Sequence, residues 1–196
     1  KKIFKDKNYP IMIDQEGGKI NRLNELISFD TLTSEYFGDL YVKDRKHFNI
    51  IYKLFIDKTS YLLSQLGINI NTVPVLDLSL KGSSKVIGNR SFSKNPKIVS
   101  KIGDICIKNF KENSIGTVIK HIPGHGLATS DSHKKLPIVN KNLKFLNSND
   151  FKCFKNNSSH FAMTAHILYK KIDNKNCVTF SKKIINEIIR KKIGFK

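Results

Sequence analysis

Strand-like and helix-like segments alternate along this chain, and that alternation restricts its fold more than any other feature. Residues 9–14 (YPIMID) form a short apolar run closing on Asp14, followed by the turn-forming QEGG. Residues 45–66 place apolar side chains at helical spacing, from Phe48, Ile51, Tyr52 and Phe55 to Leu62, Leu63 and Leu66, with Gly67 as the natural C-cap. Residues 68–76 read as a strand that ends at Asp77. Residues 96–112 read as a helix, with Pro96 at a first-turn position. GTVIKH (116–121) and FAMTAH (161–166) are two more strands, with a helix expected between them, and Ser181 caps a last helix closed by Gly194. Strand followed by helix, repeated, predicts βα units on a parallel sheet. Polar residues collect just after the strands, at Asp14, Asp77, Lys120–His121 and His166, and in a (β/α)8 barrel that rim is the active face. The expected fold class is therefore α/β, a (β/α)8 TIM barrel present in part. A full barrel takes about 250 residues, and the visible pattern accounts for about four βα units in one domain over 1–196.

A hydrophobic content of 39% supports one buried core. The apolar runs are short and broken by charge, so no transmembrane helix is expected. The N-terminus has neither an initiator Met nor a signal-peptide core, and it reads as a start in mid-chain. Cys106, Cys153 and Cys177 form an odd, unpatterned set, which argues against a disulfide framework or a zinc knuckle and for reduced thiols. The formal charge of +19 raises nucleic acid as a partner. Against it, only Arg22, Arg45, Arg90 and Arg190 are arginines, the residue that base reading and bidentate phosphate recognition favour. Heavy use of Lys, Asn and Ile is the mark of A/T-rich codons, so no nucleic-acid partner is expected.

Between Lys120 and Pro137 the chain reads KHIPGHGLATSDSHKKLP. Pro123, Gly124 and Gly126 forbid a regular helix there, and nothing alternates as a strand would. The segment reads as a long loop, the kind of element on which chemistry concentrates. In extended backbone Asp131 and His133 project to the same side. An Asp that accepts a hydrogen bond from one imidazole nitrogen fixes the tautomer and frees the other for general acid and base work. The same triplet also arises from chance and loop capping. His121 and His125 have H-x3-H spacing, but Pro123 and Gly124 between them rule out the adjacent-turn pair of a helical zinc site. No metal and no cofactor is expected. In DQEGGKINR, Asp14 at a strand end, a Gly-Gly turn and Arg22 suit either the clamping of a polar ligand or a plain tight turn. Arg90, in VIGNRSF, is a second loop cation or a solvated surface residue.

Four segments together, IDQEGGKINRL, VPVLDL…VIGNRSFSKNP, KHIPGHGLATSDSHKKLP and MTAHILY, resemble glycoside hydrolase family 3. Within it they are most similar to the bacterial β-N-acetylglucosaminidases of muropeptide recycling. FSKKIINEIIRKKIGFK resembles the family's next helix. The resemblance implies a (β/α)8 barrel that removes terminal β-linked N-acetylglucosamine from peptidoglycan fragments by a retaining mechanism, without metal. It implies His133 as general acid/base with Asp131 as its partner, and Asp14, Arg22, Arg90, Lys120 and His121 as ligands of the sugar. A retaining glycosidase needs a proton donor and a nucleophile on opposite faces of the anomeric carbon. Here a His supported by an Asp stands in for the usual carboxylic acid, a role worth about 10²–10⁴ in rate. The family's nucleophile is an Asp on the strand after GF-x-G, and the sequence reaches Gly194-Phe195-Lys196 without it. The expectation is a catalytic domain incomplete at both ends, inactive and poorly folded by itself, cytoplasmic, and monomeric when complete. A non-catalytic sugar-binding remnant and another exo-glycosidase of the family are the alternatives.

Overall fold

The computed structural model describes residues 3, 5–6, 8–80, 85–130 and 135–196. Its main sheet has four parallel strands in the order β1 (Met12–Ile13), β2 (Ile70–Asn71), β3 (Gly116–Ile122) and β5 (Phe161–Thr164). Each neighbour in sequence is a neighbour in space, as βα units require. Helices α2 (Arg45–Gln65) and α3 (Pro96–Glu112) make the first two crossovers. A short helix α4 (Leu143–Ser148) and a 3-10 turn, Asp150–Phe154, make the third. Strands β4 (Ile138–Val139) and β6 (Leu168–Tyr169) pair separately, parallel to each other. The α/β class, the parallel sheet and the sequence of βα units follow the expectation. Among the described residues the sheet does not close into a barrel.

The two long helices follow their local chemistry. Asp44 caps α2 by accepting the His47 amide at 3.0 Å, and Asn95 caps α3 by accepting the Lys97 amide at 3.0 Å, with Pro96 in the first turn. On α3 the buried residues Val99, Ile102, Cys106 and Phe110 recur every three or four positions and face the sheet. The last helix, Ile184–Ile193, winds as a π-helix, capped by Ser181 Oγ on the Ile184 amide (3.0 Å) and ended by Gly194 at φ +85°. The strands are shorter than the apolar runs suggest. Pro74 has no N–H to give, so β2 stops at Asn71 and the run rejoins β3 only through a bridge between Val75 and Lys120.

Helix α1 (Ser34–Lys43), capped by Thr33 on the Tyr36 amide, does not emerge from the sequence pattern. It closes an aromatic cluster: the Phe37 ring lies 4.6 Å from Tyr52 and 5.1 Å from Phe55, and Phe48 lies 5.1 Å from Tyr52. Phe37, Phe48 and Tyr52 are all buried, each worth about 1.5–3 kcal/mol on area grounds. Gly38 makes this closure possible. A Cβ there would fall 1.6 Å from the Phe92 carbonyl oxygen, so α1 lies directly on the turn that carries Arg90.

Candidate active site

The C-terminal ends of β1, β2 and β3 deliver their polar residues to one place. Lys120, near the end of β3, is 2% exposed and its ammonium is fully engaged. It lies 2.9 Å from Asp14 Oδ1, 2.5 Å from Glu16 Oε1 and 3.0 Å from Thr72 Oγ1. Thr72 also donates a short hydrogen bond to Asp14. Arg90 grips Glu16 with both arms of its guanidinium, Nε to Oε2 at 2.8 Å and a terminal nitrogen to Oε1 at 2.9 Å. Two cations and two carboxylates thus interlock, with the Lys120 and Glu16 side chains at 2% and 3% exposure and Asp14 open at 43%. The Gly17–Gly18 turn lets the chain reverse directly after Glu16; both glycines have positive φ.

The ionisation of the network follows from these contacts. Burial opposes the Glu16 anion most strongly, but Arg90 and Lys120 outweigh it and hold the carboxyl below its ordinary value. Partial burial likewise opposes the Asp14 anion, and Thr72, Lys120 and the nearby Arg22 overcome it. Burial also acts against the charge on Arg90, and Glu16 more than compensates.

A second group is built on Asp77, which follows β2 and is 1% exposed. Its carboxylate receives His121 Nδ1 at 2.6 Å and the amide of His125 at 2.6 Å, with the His121 amide at 3.3 Å. Burial opposes the anion here too, and the His121 ring prevails, so Asp77 is held below its ordinary value. Giving Nδ1–H to Asp77 leaves Nε2 of His121 for a ligand. His125 is buried, its Nδ1 has no hydrogen-bond partner among the described residues, and burial pushes its pKa down. Tyr169 on β6 donates to the Gly124 carbonyl at 2.5 Å and fastens the root of the loop from the other side.

The sequence-predicted residues are therefore partly assembled. Asp14, Lys120 and Arg90 share one network through Glu16, His121 joins the adjoining Asp77 group, and Arg22 is exposed with its charge near Asp14. Asp131 and His133 lie outside the described residues. Arg90 is no solvated surface residue, since its side chain is 20% exposed and clamped. Glu16 and Thr72 carry no role in the sequence reading, although Glu16 lies inside DQEGG, and Asp77 enters it only as a strand-end residue of the rim with no assigned function. Among the described residues no cluster of three or more His, Cys, Asp or Glu has the arrangement of a metal site. All three cysteines are buried and unpaired. Among the described residues no helix is long and apolar enough to cross a membrane.

The chain is similar to known proteins. The profile of the glycosyl hydrolase family 3 N-terminal domain matches residues 7–196. A β-hexosaminidase of Neisseria meningitidis serogroup A is 33% identical over 196 residues, covering 95% of this chain and 52% of its own length. β-Hexosaminidase A of Pseudoalteromonas piscicida is 32% identical, with 94% of this chain and 33% of its own length covered. NagZ from Neisseria gonorrhoeae, solved in complex with N-trifluoroacetyl-D-glucosamine, superposes with a TM-score of 0.85 at 30% identity, over 95% of this chain and 54% of that one. The β-N-acetylglucosaminidase of Thermotoga maritima superposes with a TM-score of 0.74 at 29% identity, over 94% and 38%. The chain spans about half, or less, of the length of these relatives.

Proposed function

Since the chain belongs to glycosyl hydrolase family 3, we propose that it provides the sugar-binding and acid/base part of a retaining β-N-acetylglucosaminidase acting on peptidoglycan fragments. The observation that carries this reading is the Lys120–Asp14–Glu16–Arg90 network at the strand ends. It presents a half-open carboxylate on a floor of buried, fixed charges. Asp14 can accept a sugar hydroxyl while Lys120 and Thr72 hold its other oxygen, and His121 offers Nε2 alongside. Such groups are fixed before the ligand arrives, so little reorganisation is needed on binding. Arg22, exposed at the edge with its charge near Asp14, suits a further hydroxyl or the acetamido carbonyl.

His133 is the proton donor in this reading, with Asp131 setting its tautomer. It protonates the leaving oxygen and then, as a base, activates water. Asp14, Glu16 and Asp77 are each held as anions by cations or by a histidine, and their work is binding and positioning. The nucleophile is a carboxylate outside this set. Reduced, buried thiols fit a cytoplasmic setting. The ligand is the carbohydrate alone.

The test uses the protein at its full natural length, with aryl β-N-acetylglucosaminides of good and poor leaving groups and an aryl β-glucoside as control. Selective turnover of the N-acetyl substrates is expected. His133→Ala should slow bond cleavage by about 10²–10⁴ for the poor leaving group and far less for the activated one. Equal losses for both sink the acid/base assignment. Binding of an N-acetylglucosamine analogue without any turnover by the native protein would favour a sugar-binding remnant instead.

A further inference from the structure

Asp150 opens the 3-10 turn that follows α4 and is 2% exposed. Among the described residues neither of its carboxyl oxygens makes a hydrogen bond of ordinary geometry, and only its own amide and that of Gly126 approach it, a rare condition for a buried acid. It lies directly under the loop: a Cβ at Gly124, where φ is +140°, would fall 2.5 Å from Asp150 Cβ and 3.1 Å from Oδ1. The backbone of the loop therefore rests on this side chain. Within a few residues that loop runs into Asp131 and His133.

The ionisable surroundings of Asp150 come from three elements. Asp77, already an anion, acts on it from the end of β2; Cys153 shares its turn, with Lys152 acting on the thiol; and Tyr169 faces it from β6. Burial is the main influence and the Asp77 charge adds to it, so the carboxyl is pushed up to about 7, with the amides of Asp150 and Gly126 favouring the anion slightly. No cation among the described residues compensates it, in contrast to Glu16.

We propose that Asp150 is a positioning residue for the root of the loop after β3, Gly124 to Ala128, supporting it as an uncharged carboxylic acid, and that loss of its proton to solvent loosens that root. The inference rests on the reading above only in taking that loop as the one that reaches the substrate. Two buried carboxylates flank the same few residues, and Asp77 alone is anchored, by His121 and His125. When Asp150 ionises, the loop is the part that can yield, because Gly124 and Gly126 give it freedom and Asp77 is held in place.

The experiment follows the proton and the loop rather than hydrolysis. Infrared difference spectra of the native protein should show a protonated carboxyl stretch that titrates away across neutrality and is missing in Asp150→Asn. Hydrogen exchange at the amides of Gly124, His125 and Ala128, corrected for intrinsic rates, should quicken about tenfold from the acid to the alkaline side in the native protein, the factor that one unit of coupled pKa gives. In Asp150→Asn, a neutral mimic of the same shape, it should stay level. Asp150→Ala, which removes the support, should exchange fast at every pH. An equal rise in native and Asn proteins, no titrating carboxyl in the native protein, or an Asn variant that cannot fold would each overturn the proposal. A protein without glycosidase activity would refute the functional reading, while these readouts would still judge Asp150.

Discussion

The rim around Glu16 and the loop floor around Asp150 each seal a carboxyl group from water, the whole residues being 8% and 2% exposed, and treat it in opposite ways. Glu16 sits between Lys120 and Arg90 and is an anion held below its ordinary value. Asp150 has no cation among the described residues and an anionic neighbour in Asp77, and it is lifted to about 7. Burial pushes both the same way. What separates them is the charge supplied from other strands. The rim is therefore built to stay ionised and rigid, whereas the floor is left close to its tipping point at neutral pH.

The largest effect that would break this contrast is at Lys120. Lys120→Met keeps the length of the side chain and removes the charge that Asp14 and Glu16 share. A buried pair that loses one partner costs about 3–5 kcal/mol, read as a shift in the urea midpoint. A loss below about 1 kcal/mol would mean that the rim is not held by its charges. Acid should act on the same group. The Glu16 contribution is present above its ordinary value of 4.5, and it should disappear as the pH falls through the depressed folded value.

Asp150→Asn sharpens the other side of the comparison, and its sign is reversed. The folded carboxyl titrates near 7 and the free one near 3.8. The unfolded chain therefore gives up its proton first, and the native protein carries a penalty that begins above 3.8 and is complete above 7. Removing it should stabilise the protein at neutral and alkaline pH by up to about 4 kcal/mol, at roughly 1.4 kcal/mol per unit. The two melting curves should converge below 3.8. A constant gap at all pH would contradict this account.

The smallest effect is expected at Thr72, whose hydroxyl bridges Asp14 and Lys120 without bringing charge. Thr72→Val should cost about 1–2 kcal/mol and leave the acid sensitivity in place. A loss as large as that of Lys120→Met would show that the hydroxyl, and not the ammonium, organises the rim.

Sequence alone is informative where the determinants are local. The Asn95–Pro96 start of α3 and the apolar spacing of α2 define two helices to within a residue, and the strand-end position marks Asp14, Lys120 and His121 as rim residues. It is uninformative where partners are distant in the chain. Glu16 gains its meaning from Arg90 and Lys120, 74 and 104 positions on, which no periodicity links. Asp77 reads as a strand terminus and becomes an anchor only when the loop after β3 returns to it. Asp150, in a stretch where the sequence predicts only a helix, is conspicuous through its burial with no cation beside it among the described residues. Helix α1 escapes notice because SEYFGDLYVK is short and contains a glycine, and that glycine turns out to be structural.

Gly38 ties the outer layer of the molecule to its chemistry. The residue touches neither the network nor the loop, yet any side chain there must displace the Phe92 carbonyl, two residues past Arg90. Substitution at this single helical position is transmitted to the guanidinium that orients Glu16, and from Glu16 to Lys120. A survey of tolerated mutations would find position 38 as intolerant as the rim itself, and in a library built to stabilise the helix an alanine there, favourable by propensity, would be selected against through the site it distorts.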